Sequence, residues 1–167
     1  MSESSATLAA KPAAAIDLRT GSAADIPVVE ALMAAAFDPR WGEAWTRNQC
    51  LGVLGLPGVW LTLAELDGAP AGFTLARSVV DEGELLLLAT HPAARRRGVG
   101  TALLRATLDA CRARDLATLH LEVRSNNDAV ALYRAAGFEK VGERRSYYRG
   151  RDGSAFDAHT LRRAVVR

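Results

Sequence analysis

The 167-residue sequence has little that would tie it to a nucleic acid, a membrane or a disulfide framework. Aromatic residues make up 6% of it and the formal net charge is +2, so neither stacking side chains nor a basic balance indicates a nucleic-acid partner. Its two cysteines, Cys50 and Cys111, are too few for a disulfide framework or a thiolate metal cluster. No apolar run reaches the roughly 18 residues of a membrane span, and no basic region followed by an apolar stretch suggests a signal peptide. We therefore expect a reduced, cytoplasmic domain.

The spacing of the apolar residues predicts one domain of mixed structure. Residues 1–15 are small, polar or alanine-rich, and we expect a disordered tail there, followed by a single domain over residues 16–167. Helical and alternating spacings predict the element order β-α-α-β-β-β-α-β-α-β-β. Asp67-Gly68 predicts a hairpin, Asp81–Gly83 predicts the next turn, and the continuous apolar run Glu84–Thr90 predicts a buried strand. The order indicates an α+β fold in which helices cover a sheet.

The segment between that buried strand and the next helix is rich in glycine and arginine. Arg95–Gly100 opens a helix predicted over Gly98–Arg114, and unpaired N–H groups at a helix start favour an anion. Glycines allow a phosphate to approach the backbone closely. Thr101 follows Gly100 without the lysine of a P-loop, and Leu103 stands where a dinucleotide fingerprint has its third glycine. The residues alone leave open a phosphate site or a flexible basic connector.

A second distinctive segment is LHLEVRSNNDAVALYRAAGF. Leucine and valine alternate with polar residues in its first part, so the sequence predicts a strand on which Glu122 points away from the leucines. Ser125-Asn126 is expected to cap a helix over Asn127–Ala136, whose apolar face includes Tyr133. A solvated carboxylate at Glu122 and a core aromatic at Tyr133 account for this pattern without any catalytic role.

Three motifs together resemble one enzyme family. R-R-x-G-x-G after a buried strand is similar to the acetyl-CoA loop of the GNAT N-acetyltransferases. The pattern L-E-V-R…S-N-x-x-A-x-x-L-Y-x-x-x-G-F and the later R-R-S-Y-Y resemble its RimI-like branch, the ribosomal-protein alanine N-acetyltransferases. The resemblance runs from about Ile16 to Arg163. It implies a mixed, mostly antiparallel central sheet flanked by helices and splayed at the acetyl-CoA-binding strand.

The resemblance also implies a reaction and a set of site residues. Acetyl would pass directly from acetyl-CoA to a protein N-terminal α-amine, with Glu122 as general base and Tyr133 as general acid. Tyr147 and Tyr148 would line the acceptor groove, although strand alternation predicts instead that one points inward and the other outward. The resemblance gives the cofactor contacts to the strand end, the loop and one asparagine: Leu88, Ala89, Thr90, Arg96, Arg97, Gly98, Val99, Gly100, Thr101 and Asn126.

Some features depart from the family pattern. Arg124 directly abuts Ser125 where the family has an intervening residue, a shortening that would move Glu122 relative to Tyr133. The Trp41–Trp45 region only loosely resembles the branch's acceptor segment. Apolar residues across positions 40–58 could line a second helix, a prediction weakened by Gly42, Gly52, Gly55, Pro57 and Gly58. A small-molecule amine or lysine side chain as acceptor therefore stays open, as does a non-catalytic acyl-CoA-binding module.

Other partners are expected to be few. His91 is interpreted as a structural turn residue, and the three histidines lack metal-ligand spacing, so we expect no metal. Apart from a protein or peptide N-terminus, which would belong to a ribosomal protein, the sequence indicates neither nucleic acid nor membrane as a partner. We expect a monomer or a weak homodimer.

Overall fold

The computed structural model describes residues 14–166, and the predicted order of strands and helices is confirmed over them. Of the tail expected at residues 1–15, residues 1–13 lie outside the described residues, whereas Ala15 is hydrogen-bonded to Asp67 through both its N–H and its carbonyl. The elements are β1 Ile16–Thr20, α1 Ile26–Ala36, α2 Arg47–Leu54, β2 Val59–Leu66, β3 Ala69–Val79, β4 Glu82–Thr90, α3 Val99–Ala113, β5 Thr118–Arg124, α4 Ala129–Ala135, β6 Glu139–Arg149 and β7 Ala155–Ala164. None of the helices described within this range is long and apolar enough to cross a membrane.

All seven strands form one sheet in the order β1-β2-β3-β4-β5-β7-β6. Only β4 and β5 run parallel, joined by the crossover helix α3; the other neighbours are antiparallel. The predicted α+β fold with a mostly antiparallel central sheet is therefore confirmed. The hairpin at Asp67-Gly68 is also confirmed, because both residues have the positive φ angles, 52° and 82°, that a tight turn between twisted strands requires.

Helices cover both faces of the sheet. One core lies under α1 and α2, where Ile26, Val29 and Met33 meet Phe73 and Leu75 of β3. The other lies under α3 and α4; its buried members include Leu104, Leu108, Cys111, Leu119, Leu121, Val123, Tyr133 and Leu161. Each face of the sheet therefore contributes side chains to a separate core, which fixes the direction in which every strand residue points.

A bulge in β4 separates that strand from β5. Leu75 pairs with Leu87 and Ala76 with Leu85, so Leu86 is an extra residue in the ladder. As a consequence Leu85 packs on the α3 side and Leu87 on the α1 side, although residues two apart in a regular strand share a face. The parallel pairing with β5 runs from Glu82–Leu85 against Thr118–Leu121 and does not continue into the rest of β4. The predicted splay therefore begins at the bulge.

Two local expectations were wrong. The turn before β4 is Val80-Asp81, and Gly83 lies inside the strand under Cys111, whose Sγ would be 2.8 Å from an added Cβ. The glycine that indicated a turn is there because α3 packs closely against it. The start of α4 is capped by the Asn127 side chain, which accepts a hydrogen bond from Ala129 N at 2.9 Å, and Ser125-Asn126 does not perform this role.

Candidate active site

The gap between β4 and β5 is the centre of the candidate site. Beyond Leu85, the edge of β4 that faces β5 has no ladder partner within residues 14–166. Leu88, Ala89 and Thr90 lie on this stretch, still paired with β3 on their other edge. Backbone N–H and C=O groups need partners when they leave water, so the open edge can accept an extended chain such as a pantetheine arm.

The N-terminus of α3 lies at the end of β4. Gly98 takes the N-cap position of α3 with a φ of 88°. Residues with a Cβ adopt this left-handed backbone conformation only with strain. The next residues, Val99, Gly100 and Thr101, begin the helix, so their N–H groups lack intrahelical acceptors. A Cβ on Gly100 would lie 3.1 Å from Leu132 of α4, which places α4 against this same corner. The arrangement suits an anion such as a pyrophosphate.

The arginines before this helix are partly used within the protein. Arg95 donates from Nη2 to the Ala36 carbonyl at 3.0 Å and so fastens the loop to the end of α1. Arg97 forms an exposed ion pair with Asp67, 3.4 Å between Nη2 and Oδ2. Arg96 is exposed and has a φ of 61°. Contacts within the protein thus occupy Arg95 and Arg97 in part, and the backbone N–H groups at the start of α3 are the candidate anion-binding groups.

Glu122 lies at the position where β5 leaves β4. It directly follows Leu121, the last β5 residue paired with β4, and points away from the core that Leu121 and Val123 join. The carboxylate is exposed, and its Oε2 is 3.8 Å from Nη2 of Arg144 on β6. The predicted orientation is confirmed, and the carboxylate borders the gap on the α1–α2 side.

Tyr133 lies on the other side of the sheet. It is buried in the core beneath α3 and α4, and its ring meets Phe138 edge-on with 5.8 Å between centroids. Burial raises the pKa of its hydroxyl well above the ordinary value, so the phenol stays protonated at neutral pH. Glu122 and Tyr133 therefore lie on opposite faces of the sheet.

Tyr147 and Tyr148 lie together, so the alternation that predicts opposite directions for them is wrong. Their rings meet edge-on with 5.2 Å between centroids. Tyr147 is 53% exposed, whereas Tyr148 is half-buried. Burial raises the pKa of Tyr148 to about 12, and the charges of Glu43 and Glu122 add to the shift. Arg144 links this pair to the Glu122 carboxylate, because its guanidinium carbon lies 5.3 Å from the Tyr147 ring centroid and its Nη2 lies 3.8 Å from Glu122 Oε2.

A buried ion pair that the sequence does not reveal lies beside these residues. Arg124, at the end of β5, donates from Nε to Glu43 Oε1 at 3.0 Å, and the two side chains are only 8% and 13% exposed. The guanidinium also lies 4.1 Å from the ring centroid of Trp41. Asn126 accepts a hydrogen bond from Arg124, so this predicted cofactor contact is joined to the same cluster. The Trp41–Trp45 region thus packs its 3-10 turn against the end of β5.

The shortened connection after β5 leaves the strand in register. Glu122, Val123 and Arg124 pair with Thr160, His159 and Ala158 without a shift. A tight turn closes the connection, in which Asn127 N donates to the Arg124 carbonyl at 2.9 Å. The β5–β7 pairing therefore continues without a shift through Arg124, and the shortening lies in the turn that follows.

Two further residues have structural roles. His91 Nδ1 accepts a hydrogen bond from Ala93 N at 3.1 Å and caps a 3-10 turn, as its interpretation as a turn residue predicts. Among residues 14–166, no group of three or more histidine, cysteine, aspartate and glutamate side chains is placed to hold a metal ion.

Comparison with known proteins places this geometry in a family. The [ribosomal protein bS18]-alanine N-acetyltransferase of Escherichia coli K12 is 42% identical over 88 residues, which are 52% of this chain and 60% of that protein. The N-alpha-acetyltransferase RimI of Mycobacterium tuberculosis is 46% identical over 90 residues, 53% of each chain. The chain thus spans only a little over half the length of these curated relatives.

The agreement in three dimensions extends further along the chain. The crystal structure of the ribosomal-protein-S18-alanine N-acetyltransferase from Escherichia coli superimposes with a TM-score of 0.82 at 29% identity, covering 92% of this chain and 96% of that one. Residues 26–138 match the sequence profile of the Acetyltransferase (GNAT) family, which is more than half of the 167 residues. The chain therefore belongs to the Acetyltransferase (GNAT) family.

Proposed function

We propose that the protein transfers the acetyl group of acetyl-CoA to the N-terminal α-amine of a protein whose chain begins with alanine, such as ribosomal protein bS18. The observation that carries this proposal is the position of Glu122, the first β5 residue beyond the pairing with β4. The gap that begins there ends, on the β4 side, at the Gly98-led start of α3. A carboxylate and an anion site thus lie along one opening in the sheet.

Residues on the two faces of the sheet would carry out different proton transfers at that opening. On the α1–α2 side, Glu122 would take a proton from the acceptor ammonium group, directly or through water. On the α4 side, the protonated Tyr133 phenol would give a proton to the departing thiolate, whose ordinary pKa near 8.5 makes it a good leaving group. The nitrogen would lose its second proton to water as the amide forms, and the Tyr133 phenolate would regain a proton from water. The unpaired β4 edge would bind the pantetheine arm and polarise the thioester carbonyl with an N–H group. No covalent enzyme intermediate is needed.

Two features support a peptide acceptor. Tyr147 and Tyr148 form an aromatic wall next to Arg144, which contacts Glu122, and Tyr147 is exposed enough to meet a bound chain. The two named relatives supply the particular acceptor, since one acts on the alanine of ribosomal protein bS18 and the other is an N-alpha-acetyltransferase. A lysine side chain or a small amine would use the same carboxylate but would leave the aromatic wall without a clear function.

The test is a comparison of acceptors and variants. Wild-type protein is incubated with acetyl-CoA and one of three acceptors, and the released thiol is measured. The acceptors are a lysine-containing peptide that begins with alanine, the same peptide with its α-amine blocked, and a polyamine. Transfer should require the free α-amine. Glu122→Gln should lower kcat/KM by roughly 100-fold or more, the ordinary contribution of a positioned base. Tyr133→Phe should lower kcat with little change in the KM for the peptide.

A matched control separates catalysis from a general charge effect. Glu139 is another exposed glutamate, at the far end of β6, and Glu139→Gln should leave kcat/KM unchanged. Transfer to the polyamine alone would contradict a peptide acceptor. Binding of acetyl-CoA with no thiol release by any amine, and no difference among the variants, would instead favour an acyl-CoA-binding module.

A further inference from the structure

Strand β6 contains a wide bulge directly beside the candidate site. Its pairing with β7 passes from Arg144 opposite Ala158 to Tyr148 opposite Phe156. Residues 145–147 therefore stand against the single residue Asp157. Neighbouring residues of a regular strand point to opposite faces, yet the rings of Tyr147 and Tyr148 are in contact. The bulge is thus what brings both rings to one side of β6.

The apex of this bulge is strained and needs support. Ser146 has a φ of 51°, a left-handed conformation that is strained for a residue with a Cβ. Its N–H donates to Oδ1 of Asp157 at 2.8 Å. The bulge takes this N–H out of the β6–β7 ladder, so the Asp157 carboxylate replaces the lost partner. Strained conformations persist only where surrounding contacts hold them.

Asp157 also reaches the strand that carries Glu122. Its main-chain carbonyl accepts a hydrogen bond from Ser125 N at 2.8 Å, at the start of the tight turn after β5. One residue therefore ties the bulge that orients the tyrosines to the end of the strand that carries the proposed base. The side-chain bond acts on the bulge alone, because the main-chain bond to Ser125 does not depend on the carboxylate.

We propose that Asp157 is a positioning residue. Its carboxylate holds the β6 bulge so that Tyr147 and Tyr148 form the aromatic wall near Glu122 against which the acceptor peptide binds. This role rests on the proposed acetyl transfer to a peptide. The Asp157 carboxylate is bonded to Ser146, so its effect would reach the reaction through Ser146 and the two rings. Loss of the carboxylate should therefore weaken acceptor binding and leave the β4–α3 anion site as it is.

The test uses Asp157→Ala and the conservative Asp157→Asn, whose amide oxygen can still accept the Ser146 N–H. Hydrogen exchange of the Ser146 amide is followed by NMR, and KM is measured separately for the alanine-starting peptide and for acetyl-CoA. Asp157→Ala should expose the Ser146 amide and raise the peptide KM roughly tenfold, since small misplacements in a site are costly. The KM for acetyl-CoA should not change, and Asp157→Asn should behave as wild type.

Asp25→Ala is the matched control. The Asp25 carboxylate accepts a backbone bond from Ser22 at the same 2.8 Å, but in the connection between β1 and α1. This variant should leave both KM values unchanged, whatever it does to stability. A peptide KM that stays at the wild-type value in Asp157→Ala while the Ser146 amide is exposed would overturn the positioning role alone. If the wild-type chain acetylates no amine, the proposed function is wrong and the role of Asp157 fails with it.

Discussion

The two sides of the candidate site are built in different ways. The cofactor side is one continuous stretch from the end of β4 to the start of α3, and its essential parts are backbone atoms: an open strand edge and a helix N-terminus led by Gly98. The acceptor side is assembled from side chains of distant segments; Glu43 and Arg124, for instance, are 81 residues apart. Substitutions should therefore act on the first side through backbone conformation and on the second through charge and packing.

The largest effect should come from breaking the buried ion pair on the acceptor side. Arg124→Met keeps much of the side-chain volume but leaves the Glu43 carboxylate, 13% exposed, without its partner. An uncompensated buried charge typically costs about 3–5 kcal/mol, and we expect the free energy of unfolding to fall by that amount. Urea denaturation curves of the two proteins, fitted with one shared m value, measure the difference in the free energy of unfolding.

A double variant shows whether charge is the cause. Glu43→Leu combined with Arg124→Met removes both charges, and stability should return most of the way to the wild-type value, because apolar replacements of a buried pair are often neutral. If the single Arg124→Met change proves as mild as a surface substitution, the acceptor side does not depend on this ion pair, and the contrast between the two sides is weakened.

A smaller effect is expected from a Cβ at the start of α3. Gly98→Val puts a side chain on a residue with a φ of 88°, which should cost about 1–2 kcal/mol of stability. It should also weaken acetyl-CoA binding about tenfold, because the chain can no longer present its N–H groups closely to a phosphate. Calorimetric titration with acetyl-CoA measures the binding.

The chain offers a close control for this variant. Gly68, in the β2–β3 turn, has a φ of 82° and no atom within 4 Å of an added Cβ. Gly68→Val should therefore lose similar stability while binding acetyl-CoA normally. Equal acetyl-CoA affinity in Gly98→Val and Gly68→Val would mean that the start of α3 is not the anion site, and the proposed cofactor side would lose its main feature.

The difference between the sides also decides what could be predicted from the sequence. The basic, glycine-rich loop and the direction of Glu122 follow from local spacing, whereas the open strand is expected only from the resemblance to the GNAT family. The ion pair joins residues whose separation carries no sequence signal, so neither Glu43 nor the burial of Arg124 was foreseen. A polar residue on an alternating strand is expected at the surface, and Arg124 escapes that expectation because Glu43 and Trp41 cover it.

A bulge and a close packing contact account for two further errors. The alternation rule assigns Tyr147 and Tyr148 to opposite faces, and it fails because residues 145–147 stand opposite the single residue Asp157. Gly83 was interpreted as a turn residue, whereas the close approach of Cys111 requires a residue without a Cβ there. In both cases a contact between distant segments determines the geometry, so a pattern confined to one segment cannot indicate it.

The smallest effect should come from a basic side chain of the cofactor side. Arg97 makes one exposed ion pair, with Asp67 at 3.4 Å, and such pairs contribute about 0–1 kcal/mol. Arg97→Gln should therefore change stability by less than about 1 kcal/mol. It should reduce acetyl-CoA affinity by no more than about threefold at physiological salt, because screening limits what an exposed charge adds. Titrations with acetyl-CoA at low and at physiological salt measure the affinities of wild type and Arg97→Gln, and the two affinities should differ most at low salt. If Arg97→Gln lost as much acetyl-CoA affinity as Gly98→Val, and the loss persisted at high salt, side chains rather than backbone groups would hold the anion. The contrast between the two sides would then be wrong.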